Sequence, residues 1–254
     1  MNTTPPRALR TLIIAAALLV PLAAAQAAPF GWLGGDNLTG SGHVARETRQ
    51  PGRFHGVSLA VSGSVEVRTG GDETVTIEAD DNLLPLIETV VEDGVLQIRP
   101  VKKNAQLDPR RLKVTVQARA IDSLGVAGSG AVRADRLRGD KVVLELAGSG
   151  LIDAGTIEAK SVSIEVAGSG NVRAAGAVDS LDVSLAGSGK ADVGRLAARE
   201  VAANVSGSGV ATVTARQSLA AAITGSGNIA YYGDPQLSRA ITGSGTVRRL
   251  GDAR

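Results

Sequence analysis

The tripeptide Gly-Ser-Gly recurs through the C-terminal half of this chain, with first glycines at positions 128, 148, 168, 187, 207, 225 and 243, at intervals of 20, 20, 19, 20, 18 and 18 residues. A period of this length marks a repeat architecture: one short unit cannot bury its apolar face alone and must stack on its neighbours. That requirement outranks any reading of single residues.

Ahead of each triplet, apolar residues alternate with others at period two: Val142, Leu144, Leu146, then Val162, Ile164, Val166, then Leu181, Val183, Leu185, then Val201, Ala203, Val205. Shorter alternations follow the triplets, as in Ile152 with Ala154 and Val172 with Ala174. This is strand periodicity with one buried face. A leucine-rich repeat has a similar period but needs an asparagine at a fixed place, and Asn204 has no counterpart in the other units. The expected fold is all-β, a parallel β-helix (β-solenoid) of roughly 18–20 residues per coil, each strand bonding to its copy about 4.8 Å away along the axis. Six spacings between seven corners predict about 29 Å of solenoid.

Glycine suits the corners because it accepts positive φ and brings no Cβ to crowd the next coil. A small serine between two glycines has a hydroxyl able to reach nearby backbone. Stacking predicts one line of Ser129, Ser149, Ser169, Ser188, Ser208, Ser226 and Ser244. It reads first as a structural corner ladder satisfying backbone groups. The sharper reading is a flat hydroxyl array for a repetitive surface, glycan or ice. None of these serines lies in a Gly-x-Ser-x-Gly elbow before a helix, which argues against a hydrolase nucleophile.

Five residues after the first glycine stand Arg133, Asp153, Arg173 and Asp192, alternating in sign. On stacked strands opposite charges contribute about 0.2–1 kcal/mol per pair, so these four read as a register-fixing charge ladder. Glu145 and Glu165, three residues before their triplets, are predicted neighbours. A carboxylate pair suggests acid/base glycoside chemistry, but Gly125 and Ser184 offer no partner, and Lys141 and Lys160 are placed to neutralise it. A solvated face is the preferred reading. Arg239 lies in the inward slot between Leu237 and Ile241, and with the basic "VRRLGDAR" it guards the last coil against edge pairing. Asp122 holds the matching slot at the other end, which predicts a cover from upstream.

Residues 1–27 read as an export signal: Arg7 and Arg10, an apolar Leu12–Val20 and a small-x-small site at Ala25-Gln26-Ala27. Cleavage removes two of 27 basic residues, leaving 25 against 25 acidic ones. This balance and the lack of a basic stripe argue against nucleic acid. No later apolar run approaches the roughly 18 residues of a membrane helix. With no cysteine, disulfides, thiolate metal sites and a cysteine nucleophile are excluded. Residues 28–49 read as a linker or flexible segment and 50–254 as one domain, with strands and a hairpin over 50–111 and coils over 112–254. In the first part, Val57–Val61, Val65–Val67 and Val75–Ile77 read as strands, and Asn82–Leu86 as one helical turn ended near Pro85. Glu92–Gly94 reads as a hairpin turn, and "LKVTVQA" starts the solenoid. Asp80-Asp81-Asn82 lacks the spacing of a calcium loop and reads as a helix start. His43 and His55 read as solvated loop residues, and no cofactor or metal is expected.

The stretch "FHGVSLAVSGSVEVRTGGDETVTIEADDNLLPLIETVVEDGVLQI", the Gly-Ser-Gly corners and "GSGNIAYYGDP" at Gly225–Pro235 resemble the bacterial head GIN domain family, described as adhesin heads of autotransporters. The resemblance covers roughly residues 50–250. It implies a right-handed parallel β-helix in an exported protein, agreeing with the usual crossover handedness, and it carries no catalytic residues. The ten-residue alternating strands and aromatic girdles of an outer-membrane barrel are not in the sequence, so the expectation is a head without its own translocator.

The expected function is that of an exported, non-enzymatic scaffold or adhesin-like binding protein, periplasmic or extracellular, for an envelope or surface ligand, protein or glycan. The alternative is a polysaccharide lyase or hydrolase, by fold analogy. Tyr231 and Tyr232 are the only aromatics in the repeats. Because strand neighbours alternate sides, at most one of them faces outward as a ligand contact.

Overall fold

The computed structural model describes residues 37–102 and 105–253; the expected export signal and the first part of the linker lie outside them. The N-terminal strands are β1 (Asn37–Thr39), β2 (Val44–Arg49), β3 (Gly56–Leu59), β4 (Ser64–Thr69), β5 (Thr74–Asp80), β6 (Ile87–Glu92), β7 (Val95–Pro100), β8 (Gln106–Asp108) and β9 (Leu112–Ala118). The coils carry β10 (Ser123–Gly128), β11 (Ala131–Ala134), β12 (Arg136–Gly148), β13 (Leu151–Gly168), β14 (Asn171–Gly187), β15 (Lys190–Gly207), β16 (Val210–Gly225), β17 (Asn228–Tyr232), β18 (Gln236–Gly243) and β19 (Thr246–Gly251). No α-helix occurs among the described residues. The molecule is a β-solenoid of about six turns.

Each coil pairs in parallel with its copy at the spacing of the triplets. Leu124, Leu144, Ile164, Val183, Ala203 and Ala221 follow one another in register and are 0–3% exposed. Fully burying such a Val, Leu or Ile contributes about 1.5–3 kcal/mol. Alternation therefore becomes a stack of apolar rows. This row shrinks from leucine to alanine as the corner spacing falls from 20 to 18 residues.

Stacking order departs from chain order at the N-terminal end. Strands β3 and β4 already form a coil beneath β10 and β11, with Leu59 opposite Val126 and Ser64 opposite Ala131. β7 and β9 lie beyond them, pairing in parallel with β3 and β4. The expectation that "LKVTVQA" opens the stack is thus corrected: it is β9, on the far side of an earlier coil. Antiparallel strands finish this end, β6 on β7, β5 on β9 and β2 on β5. They bring Ile77, Leu83 and Ile87 into the core at 0–1% exposure. The cover expected over the Asp122 end is β3 itself.

Several local expectations change. Residues 37–49, read as linker, contain β1 and β2, and β1 pairs in parallel with β8. The expected helical turn is a 3₁₀ turn at Leu84–Leu86 with Pro85 inside it, because the first turn needs no N–H from proline. The hairpin between β6 and β7 turns on Asp93 (φ 51°) and Gly94 (φ 78°), the two positive values of a type I′ turn.

Candidate binding surface

At the corners the two glycines serve different ends. The first lies in the left-handed region, as at Gly148 (φ 119°), and a Cβ there would stand 2.5 Å from the Gly128 carbonyl oxygen of the coil below. The last has an ordinary φ but no room: a Cβ on Gly189 would stand 2.8 Å from both the Gly170 carbonyl and a Val166 methyl. Between them the serine N–H donates to the first glycine of the preceding coil, Ser149 to Gly128, Ser169 to Gly148 and Ser188 to Gly168, each at 2.9 Å. The serines from Ser129 to Ser244 are all exposed. The coil neighbour thus satisfies the backbone, and the hydroxyls expected to do so are left at the surface.

The line begins one coil earlier than the sequence suggested. Ser62 occupies the corner between β3 and β4, and its hydroxyl lies 2.9 Å from that of Ser129. Val61 stands where later coils carry the first glycine, which hides this corner in the sequence; the recurring Ser62-Gly63 pair was the available signal. Beside it opens a cleft of about 790 Å³ between the corner line and the β1–β8 arm, lined by Thr39, Ser62, Gln106, Asp108 and Ser129 over an apolar floor including Val61 and Pro100.

The outward face of β10, β12, β13, β14, β15 and β16 carries Gly125, Glu145, Glu165, Ser184, Asn204 and Ala222 in register. Glu145 and Glu165 are thus neighbours, both exposed, along a shallow depression of about 260 Å³. Lys160 does not neutralise them; it pairs with Asp140 at 2.8 Å. A second depression, of about 350 Å³, holds Glu165, Asn204 and Thr224. Both tyrosines are half-buried. Tyr231 packs against the core, and the Tyr232 ring covers Gly194, where a Cβ would stand 3.3 Å from it. Neither tyrosine is therefore the fully exposed contact.

Register aligns Arg133, Asp153, Arg173 and Asp192 as expected, and adds Glu66 beneath Arg133. No ion pair joins these four to one another, and Asp192 is 3.7 Å from Lys190 of its own strand. The ion-paired ladder lies on another face: Asp140 with Lys160 at 2.8 Å and Asp179 with Arg199 at 3.6 Å. Lys160 donates to Asp140 and holds its carboxyl below the usual range, and Asp140 raises Lys160 in return. Asp122, expected inward, pairs instead with His55 at 2.8 Å, and His55 itself stands exposed at the bend before β3.

Asp80 is fully buried. Burial works to raise its carboxyl, but the backbone N–H groups of Arg111, Gly42 and Arg110 donate to it and hold it below the ordinary aspartate range. Asn82 accepts from the Ser41 N–H at 2.9 Å, and Ser41 donates to Asp81. The Asp80-Asp81-Asn82 run is therefore a clasp around Gly40-Ser41-Gly42, not a helix start. Among the described residues no three His, Asp or Glu side chains are grouped to hold a metal ion.

The family described as "Putative auto-transporter adhesin, head GIN domain" matches residues 53–235. Solved structures share the fold. A "putative adhesin" from Bacteroides fragilis is 24% identical with a TM-score of 0.78, covering 84% of this chain and 100% of that one. A "putative lipid binding protein" from Parabacteroides distasonis is 28% identical, TM-score 0.71, covering 85% and 100%. A "putative adhesin" from Parabacteroides merdae is 21% identical, TM-score 0.65, covering 85% and 99%. No curated protein matches the chain.

Proposed function

Starting from the fact that this chain belongs to the head GIN domain family, we propose that it is an exported, non-enzymatic, adhesin-like protein of the cell envelope or surface. Its ligand, a protein or a glycan, occupies the cleft at the head of the corner line. The observation that carries this reading is the extent of the family match, which runs from the strand before the first corner to the loop after β17. The family's unit is thus the stack of coils with its corner line.

The cleft has the size of a ligand site and the mixture such sites use, a few convergent polar groups over an apolar floor. Hydroxyls of Ser62 and Ser129, the Gln106 amide and the Asp108 carboxylate match the alternating donors and acceptors of a sugar or a peptide backbone. The lipid-binding description of one structural neighbour favours vesicles as a second probe. In this chain the inward rows are filled by side chains, so an acyl chain would have to lie on the surface.

Binding of the purified protein to glycan and matrix-protein panels, with anionic and neutral vesicles alongside, tests the proposal. Ser129→Arg and Gln106→Arg fill the cleft and should abolish the strongest interaction, while Ala186→Arg on the flat face leaves it intact. The reverse ranking moves the site to the flat face. New reducing ends or unsaturated products that vanish in Glu165→Gln would replace the proposal with an enzyme.

A further inference from the structure

The two ends of the stack are finished differently. Three antiparallel strands close the N-terminal end, whereas at the other end the core rows run out into solvent. Leu219 and Ile223 are 1% and 2% exposed; one coil later, in the same rows, Leu237 and Ile241 are 39% and 40% exposed. β18 is registered with β16 on one side, and none of the described strands is registered with its other edge. Between the two apolar residues, in register with Ala221, stands Arg239. Arg249 of β19 is engaged by the Gly233 carbonyl at 2.6 Å and by Asp252 at 2.9 Å, but no described acidic side chain pairs with Arg239.

We propose that this edge docks an extended segment of another polypeptide, with the pattern apolar, any, acidic, any, apolar, which adds as the next strand of the stack. Three features select that partner. A row of strand N–H and carbonyl groups is matched by another backbone and by neither a lipid nor a sugar. The inward positions repeat at period two, so the segment's alternate side chains would meet Leu237, Arg239 and Ile241. A carboxylate opposite Arg239 supplies the charge that this row lacks. A second copy of this chain is the poorer occupant, because pairing β18 with itself about its middle brings two Arg239 side chains into one row. The inference is independent of the ligand bound at the cleft.

The probe is a labelled peptide, Thr-Val-Thr-Glu-Thr-Ile-Thr, compared with the same peptide carrying lysine for glutamate. Fluorescence anisotropy reads affinity, and hydrogen exchange on the full chain reads location. The expected result is about tenfold or greater preference for the glutamate peptide, inverted in Arg239→Glu, with new protection confined to amides of Leu237–Thr242. Equal binding of the two peptides, no binding at millimolar peptide, or protection elsewhere overturns the proposal. A concentration-dependent dimer that protects β18 without peptide overturns it in favour of a second copy. Self-association of Arg239→Leu without peptide binding by the parent protein shows that Arg239 only blunts the edge. Circular dichroism of each variant confirms that the coils are intact.

Discussion

Thr-Gly-Ser-Gly occurs at residues 39–42, 224–227 and 242–245, and the first two copies fold differently. In the second, Gly225 is left-handed (φ 116°) and the Ser226 N–H donates to the Gly207 carbonyl at 2.8 Å. In the first, Gly42 is left-handed (φ 88°) and Gly40 packs directly against the Asp80 carboxylate. There the serine N–H donates to Asn82 and the Gly42 N–H to Asp80 at 2.8 Å. One turn is held by the backbone of a coil below, the other by side chains of a clasp. The tripeptide permits a turn, and what lies next to it chooses which glycine bends and where its donors go.

The largest break in this comparison should come from Gly148→Ala. It adds left-handed strain of about 1–3 kcal/mol and a Cβ pressed into the Gly128 carbonyl, so a loss of about 3 kcal/mol or more is expected from denaturant midpoints. Gly128→Ala isolates the first of these costs. Its φ of 102° is comparable, but a Cβ there meets nothing within 4 Å, and the expected loss is about 1–2 kcal/mol. Equal losses at the two sites would show that crowding by the adjacent coil contributes nothing.

Acid sharpens the contrast next. A carboxyl held below its unfolded value contributes stability that is present above about pH 4 and fades as pH falls through the folded value. Asp80 has such a carboxyl, whereas the corner bonds join backbone groups that do not titrate. Protection factors for Ser41, Gly42 and Arg111 amides should therefore fall as pH drops below about 4, the ordinary aspartate value, ahead of those for Ser149 and Ser169. Parallel loss at both places would contradict the clasp. The smallest effect should be electrostatic. Lys160→Ala removes an exposed ion pair and should lower the melting temperature by about 2 °C or less, an effect weakened by salt. Asp153→Ala, in the aligned but unpaired row, should show no salt dependence. A larger, salt-sensitive loss there would restore it as the ladder that holds register.

The periodic features were legible because a period needs no knowledge of what it touches. Seven serines, the alternating core positions and the alignment of Arg133 with Asp153 all follow from the spacing of the triplets. Ser62 escaped because Val61 has no left-handed glycine to announce the corner, and because β7 and β9 fold back outside β3 and β4. The ion-paired row was missed for another reason: Asp140, Lys160, Asp179 and Arg199 obey the same period as the aligned row. Only the direction in which each side chain extends decides which row closes to bonding distance. The cleft likewise joins Ser129 to Asp108 and Thr39, residues that no local pattern connects.

The chain's own order of residues determined that coils stack, in what register, and which positions face inward, because burying one face of every short strand admits a single arrangement of repeats. Three-dimensional packing alone decided which end is covered, which charges meet, and which glycine of a given triplet turns left-handed. Those outcomes depend on groups distant in sequence competing for the same donors and the same space.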